Sequence, residues 1–284
     1  MDKAVDWAQL WRELTEMHLR ATYHKQEERE GDIWRTRARE FDAQIRRRWA
    51  APDSSRTRVV AEVQACPGAR VVDIGAGTGA WAMLLSQHAR HVTAVEPSAA
   101  MIEVMRENLA AADITNVTIV QGSWPEVEVP EHDISLCAHA MYACPDLVPF
   151  VRRMEEVTRR TCFMLLRAPV SDGLMAQLAM RIWGQPHDSA NFQIAYNVLL
   201  QMGIYANVLL EDVGLWEPWR HASMEEALAD VKHRFDLEAD GRHDDYLADM
   251  LRRHLVYRDG GYLWPRGVQS ALVYWPSRGA LCQV

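Results

Sequence analysis

Three short segments hold residues whose types and spacing suit chemistry. Asp73-Ile74-Gly75-Ala76-Gly77-Thr78-Gly79 follows the apolar pair Val71-Val72, with a carboxylate two residues before the first of three alternating glycines. Glycines so placed let a backbone approach a ligand with no Cβ in the way. About 20 residues later Glu96 closes the β-branched run from His91, where an acid can accept hydrogen bonds from both ribose hydroxyls. Cys137-Ala138-His139-Ala140-Met141-Tyr142 then closes another apolar run with a thiol, an imidazole and a phenol. The first two segments imply a nucleoside-type ligand. The third implies a place where a proton or a substrate is handled, although a histidine in such a position often only walls a pocket.

The glycines admit two groupings. Gly75, Gly77 and Ala80 satisfy the dinucleotide fingerprint Gly-x-Gly-x-x-Gly/Ala. Asp73, Gly75, Gly77 and Gly79 form the other. A carboxylate repels a pyrophosphate and attracts an ammonium group, so Asp73 separates the two. In that second grouping, Val71–Gly79 resembles the first motif of class I S-adenosylmethionine-dependent methyltransferases.

The resemblance implies S-adenosylmethionine as cofactor. Asp73 faces its ammonium group, Gly75, Ala76, Gly77 and Gly79 cradle it, and Glu96 takes its ribose. Glu96-Pro97-Ser98 followed by Met101 is similar to the family's acid-x-Ser turn, whose helix presents an apolar side chain to the adenine; plain core packing is the other reading of Met101. Gly122-Ser123-Trp124 stands where the family commonly has Gly-Asp-Ala, so Ser123 replaces an acid and Trp124 is expected over the adenine face. Ala138 and His139 fall where members touch cofactor and substrate. His139 as base or binder and Tyr142 through its hydroxyl are the catalytic candidates. The Asp/Asn-Pro-Pro-Tyr signature of nucleobase amino methylation is absent, and "VTRRT" replaces the family's turn before the fifth strand. The likeness runs over roughly residues 30 to 170.

Those residues need a frame. Between residues 56 and 170, short β-branched strands alternate with amphipathic helices, which predicts βαβ units and a parallel sheet covered on both faces. The expected fold is α/β, a Rossmann-like class I methyltransferase sheet, mostly parallel with a final antiparallel strand at "GVQSALVYWP" and helices on both faces. Residues 1–55 read as an N-terminal helical segment, with Trp7, Leu10, Trp11, Leu14 and Met17 on one stripe and Asp32 a cap for the next helix. Those stripes are core contacts or a roof over a pocket. Residues 56–170 form the cofactor-binding core, 171–195 a helical cap insertion, and 196–284 a part that completes the sheet. Arg167 is a candidate for an anionic substrate and His187 for a residue reaching onto it. Trp183, Tyr196 and Tyr205 are candidate pocket walls.

Bulk composition narrows the partners. The chain has 284 residues and a formal net charge of −8, which disfavours a nucleic-acid partner; Arg46-Arg47-Arg48 reads as a solvated helix end. Five cysteines with no C-x-x-C pair argue against zinc and a disulfide framework, and no metal site is expected. The N-terminus is not a signal peptide and no apolar run suits a membrane, so a cytoplasmic protein is expected. Tryptophan-rich ends offer a surface for an oligomer. The expected activity is methyl transfer to a small-molecule acceptor. A methyltransferase of protein or RNA, a non-catalytic cofactor-binding subunit, and a dinucleotide reductase are the alternatives.

Overall fold

The structure, a computed structural model, describes residues 5–24, 32–170, 173–211, 218–266 and 268–277. Ten strands and ten α-helices occur among them. The N-terminal helices are α1 (Trp7–His24) and α2 (Ala38–Trp49). The alternating region runs α3 (Ser54–Gln64), β1 (Arg70–Ile74), α4 (Ala80–Ser86), β2 (His91–Glu96), α5 (Ala99–Ala111), β3 (Val117–Gln121), β4 (His132–Ala138), α6 (Leu147–Glu156) and β5 (Thr158–Pro169). Then follow α7 (Leu174–Trp183), α8 (Phe192–Gln201), β6 (Asn207–Leu210), β7 (Arg220–His221), α9 (Met224–Arg234), α10 (Asp244–His254), β8 (Val256–Arg258), β9 (Gly261–Leu263) and β10 (Val268–Pro276).

Seven strands form one sheet in the order β3-β2-β1-β4-β5-β10-β6. The five from β1 to β5 pair in parallel, and β10 enters antiparallel between β5 and β6. This is the expected α/β sheet with its antiparallel last strand. Strand period two sends alternate residues to opposite layers. Val72 and Ile74 pack with Trp11, Phe150 and Ile194, while Val71 packs with Val59, Leu85 and Met105. Trp11 and Leu14, the centre of the α1 stripe, are buried and each contributes about 1.5–3 kcal/mol by leaving water.

A separate apolar cluster joins α7, α9 and α10 through Leu178, Val231, Phe235, Leu251 and Trp264, beside the small sheet β7-β9-β8. The cap therefore draws on residues well beyond 195, and the expected boundary at 195/196 falls inside α8, which packs against α1 and β5 instead. The reason is that α8 carries its apolar face (Ile194, Ala195, Val198, Leu199) into the main core. The later half of the strand-like run "ANVLLEDVGLW", from residue 212, lies outside the described residues, as does Cys282.

One cap differs from expectation. Asp32 does not cap α2. Its carboxylate accepts from Trp34 N, from Ser98 Oγ at 2.6 Å and from Ala100 N at 2.9 Å, so it pins the N-terminal segment to the start of α5. Ser223 and Glu226 do cap α9: Ser223 Oγ accepts from Glu226 N, and the Glu226 carboxylate reaches back to Ala222 N.

Candidate functional site

The carboxyl ends of β1 and β4 open onto a cavity of about 670 Å³. Its floor is Asp73, Gly75, Ala76, Gly77 and Thr78, one wall is Ala138, His139 and Leu165, and the roof is α2, through Phe41, Gln44, Ile45, Arg48 and Trp49. Sheets of this kind bind ligands beyond the carboxyl ends of their strands, which is where this cavity lies.

The loop conformation explains the glycines. Gly75 has φ +70°, and a Cβ there would lie 2.1 Å from the Cβ of Ala140. Gly77 has φ +56° but faces open space, with Phe41 Cε1 the nearest atom at 3.7 Å. The first glycine is thus required by packing of the loop on β4, and the second keeps the cavity clear. Gly79 lets α4 begin against Met105 and does not line the cavity.

Asp73 is 1% exposed and its Oδ2 has no hydrogen-bond partner. Burial pushes its carboxyl up to about 7, the nearby Glu96 charge adds to the rise, and a hydrogen bond from Ala82 N opposes it. A buried, unpartnered carboxylate oxygen beside an open cavity suits a cationic ligand group and disfavours a pyrophosphate.

Glu96 lies behind the loop. Its carboxylate accepts from Gly77 N at 2.8 Å and Ser98 N at 2.9 Å, tying the glycine loop to the α5 start; burial raises its pKa and these two bonds lower it. It does not line the cavity, and neither do Pro97, Met101, Gly122, Ser123 or Trp124. Met101 is buried with Ala38 and Val104, under Trp34 and Phe41. Trp124 is core: its ring meets Phe150 and its indole N–H donates to Phe150 O at 3.1 Å, so no adenine face is covered by it. Gly122 sits tight against Val127, and Ser123 is exposed, its carbonyl accepting from Val127 N.

His139 does line the cavity. It leaves β4 with φ +57°, held by its N–H to Leu165 O. Burial, with the charges of Arg48 and Arg167, lowers its pKa to about 3, so the imidazole is neutral at ordinary pH and a weak base. Tyr142 does not line the cavity but stands behind its wall, its ring stacked on His139 with centroids 6.4 Å apart. Its hydroxyl accepts from Arg167 N, the Arg167 guanidinium lies 4.2 Å over its ring, and Trp11 stacks on it. These contacts make it a support for Arg167.

His187 is locked in its loop by Gln185 and Asn191 and packs edge-on to Trp7, so it does not reach a cavity. Trp183 packs on Phe235, Tyr196 bonds Ala206 O, and Tyr205 is exposed, so none is a cavity wall. Of the arginine triplet, Arg46 and Arg47 are exposed as expected of a helix end, and Arg48 turns inward. Arg46 reaches Asp42 and Asn108, Arg47 borders the cavity, and Arg48 lies 3.7 Å from buried Glu211. Of the cavity residues that sequence reasoning assigned no role, Gln44 and Trp49 sit on the roof, whereas Thr78 is in the floor, Trp81 is on α4, and Glu211 and Trp219 come from far along the chain. Among the described residues no group of histidine, cysteine, aspartate and glutamate is arranged to hold a metal, and no helix is long and apolar enough to cross a membrane.

Comparison with known proteins follows this geometry. Residues 71–161 match the family described as "Methyltransferase domain". A demethylmenaquinone methyltransferase of Listeria monocytogenes is 28% identical over 97 residues, covering 32% of this chain and 41% of that protein. A probable ribosomal RNA small subunit methyltransferase A of Methanosarcina mazei is 36% identical over 76 residues, 27% of each chain. The chain thus spans about two fifths of the quinone-type relative it matches. The YcgJ protein of Bacillus subtilis has a similar fold, with a TM-score of 0.50 at 16% identity over 79% of this chain and 98% of that one.

Proposed function

We propose, from the class I methyltransferase domain that residues 71–161 form, that this protein is an S-adenosylmethionine-dependent methyltransferase acting on a small-molecule acceptor. The observation that carries the reading is the unpartnered, buried Asp73 Oδ2 beside a cavity floored by Gly75 and Gly77. The residues fit the cofactor: Asp73 would hold its ammonium group, the Gly75–Gly77 backbone would approach it, and Ala138 and His139 would face its reactive end. Glu96 would act by holding the glycine loop in place.

The bound cofactor supplies a methyl group already activated on a sulfonium. The chain's task is to hold the acceptor in line and keep water out. The α2 roof, with Phe41, Ile45 and Trp49, excludes water from above. Neutral His139 accepts a hydrogen bond from the acceptor's N–H or O–H and orients it. With its lowered basicity it suits positioning more than proton removal.

The relatives' names span a quinone, ribosomal RNA and a ribosomal protein, so they leave the acceptor class open. A small acceptor is supported by the enclosed roof and by the net charge of −8. The free thiols of Cys66, Cys137, Cys144 and Cys162 fit a reducing, cytoplasmic setting.

Calorimetric titration with S-adenosylhomocysteine and with NADH tests the reading. Micromolar binding of the first and none of the second is expected. Binding of NADH alone would replace it with the dinucleotide grouping. Binding of S-adenosylhomocysteine without its formation from S-adenosylmethionine across an acceptor screen would favour a non-catalytic subunit.

A further inference from the structure

A second cavity, of about 150 Å³, lies beside the first, between the end of β5 and the α7–α9 cap. Its walls combine apolar surface (Pro169, Leu174, Met175, Trp219 and Trp264) with three guanidinium groups, Arg167, Arg234 and Arg266. One lining carboxylate, Asp188, faces them. Asp230 engages Arg234 at 3.1 Å, and the Arg234 guanidinium lies 4.0 Å over Trp219. Arg167 and Arg266 form no ion pair among the described residues, and the buried Nε of Arg167 has no hydrogen-bond partner. Elsewhere on its guanidinium, Nη2 lies 3.5 Å from Ala190 O and the side chain also bonds the Tyr142 hydroxyl. A buried guanidinium donor left unmade is costly, so a ligand that completes it gains more than it would in water.

The two cavities are neighbours by construction. Leu165 lines the first and Arg167 the second. Two residues apart on β5, they share a face of the strand and sit roughly 6.6 Å apart along it. Trp219 borders both cavities. An elongated molecule can therefore have one end among the arginines and the other beside His139.

We infer that the second cavity seats the anionic end of the methyl acceptor, a carboxylate on an apolar, ring-sized body, with Arg167 as the anchor. This rests on the methyltransferase reading for the first cavity. Three guanidinium groups against one lining carboxylate give the cavity a positive excess. Burial raises the Asp188 carboxyl pKa, and the charges of Arg167 and Arg234 pull it down. A planar fork of N–H donors matches a carboxylate in two-point contact, and the tryptophans supply flat apolar walls.

Benzoate and benzamide, equal in shape and different in charge, are the probes. With S-adenosylhomocysteine saturating, ligand-observed NMR titration of the full chain should give benzoate at least about tenfold tighter than benzamide. Arg167→Gln should bring the two within about threefold, with Arg266→Gln, at the exposed rim, reducing the preference in part. If Arg167→Gln does not fold, Arg234→Gln takes its place in the comparison. A wild-type protein that does not prefer benzoate, or a preference that survives in every folded variant, overturns the inference. Failure to bind S-adenosylhomocysteine in the same experiment would sink the methyltransferase reading instead.

Discussion

Replacing Asp73 by Asn separates stability from binding. Below about pH 4 the Asp73 carboxyl is protonated in folded and unfolded chains alike. As pH rises, the unfolded carboxyl ionises near 3.8 and the folded one stays protonated until about 7. The unfolded state then binds fewer protons, so folded stability falls by roughly 1.4 kcal/mol per pH unit, about 4 kcal/mol in all, and levels off above pH 7. Asp73→Asn has no such loss. Its amide leaves a buried polar group unpaired, at roughly 1–3 kcal/mol. The variant should therefore be more stable than wild type at pH 8 by roughly 1–3 kcal/mol, about 2–8 °C in melting temperature. The advantage should vanish or reverse near pH 4. The same variant should bind S-adenosylhomocysteine at least about tenfold more weakly, having lost a charge pair with the ligand ammonium. Thermal melts from pH 4 to 8, paired with calorimetry, read both effects. A wild-type/variant difference that does not change with pH, or unchanged cofactor affinity, would refute the reasoning that Asp73 is a buried charge waiting for a cation.

Three other perturbations read other parts of the site. Gly75→Ala combines left-handed strain of about 1–2 kcal/mol with a collision against Ala140 of about 1–3 kcal/mol, whereas Gly77→Ala carries only the strain. Melting temperature should drop more for the first, while both lose cofactor affinity; Gly77→Ala with normal affinity would mean the loop is not the cradle. His139→Gln should leave the shape of the pH–rate profile unchanged between pH 5 and 8, because the imidazole does not titrate there. A limb present in wild type and missing in the variant would assign His139 the role of base. Arg48→Met strands Glu211, which is 4% exposed, and should cost about 3–5 kcal/mol in denaturant unfolding. The Arg48→Met/Glu211→Met pair should recover most of that loss.

The parallel sheet was legible because each strand advertises itself twice, by β-branched composition and by the amphipathic helix that follows. Asp73, Gly75, Ala76, Gly77, Ala138 and His139 could be brought to one place from sequence for the same reason: all six lie at the carboxyl ends of adjacent strands. The adenine-side candidates do not line the cavity, where a local likeness had to stand in for a tertiary neighbour. Trp124 has a loop position that suits a ligand, but Phe150 offers its carbonyl to the indole and an apolar ring to pack on. Tyr142 lost its catalytic candidacy to a backbone N–H on β5 that no spacing along β4 reveals.

The roof is the part that sequence periodicity reads worst. In α2 the exposed-looking arginines and the apolar stripe serve one cavity together. Trp49 and Ile45 close it with apolar surface, and Arg48 turns inward because Glu211 and Ser270 Oγ receive it from strands more than a hundred residues away. Ser270 is paired with Arg167 across β10 and β5, and its side chain receives Arg48, so Arg48 and Arg167 meet the same face of the sheet. Burial keeps the His139 ring neutral, and the charges of both arginines add to that effect. The segment that looks least like an enzyme thus sets the electrostatics of the residue that looks most like one. A change at either arginine should therefore be felt at His139 even when cofactor affinity is unchanged.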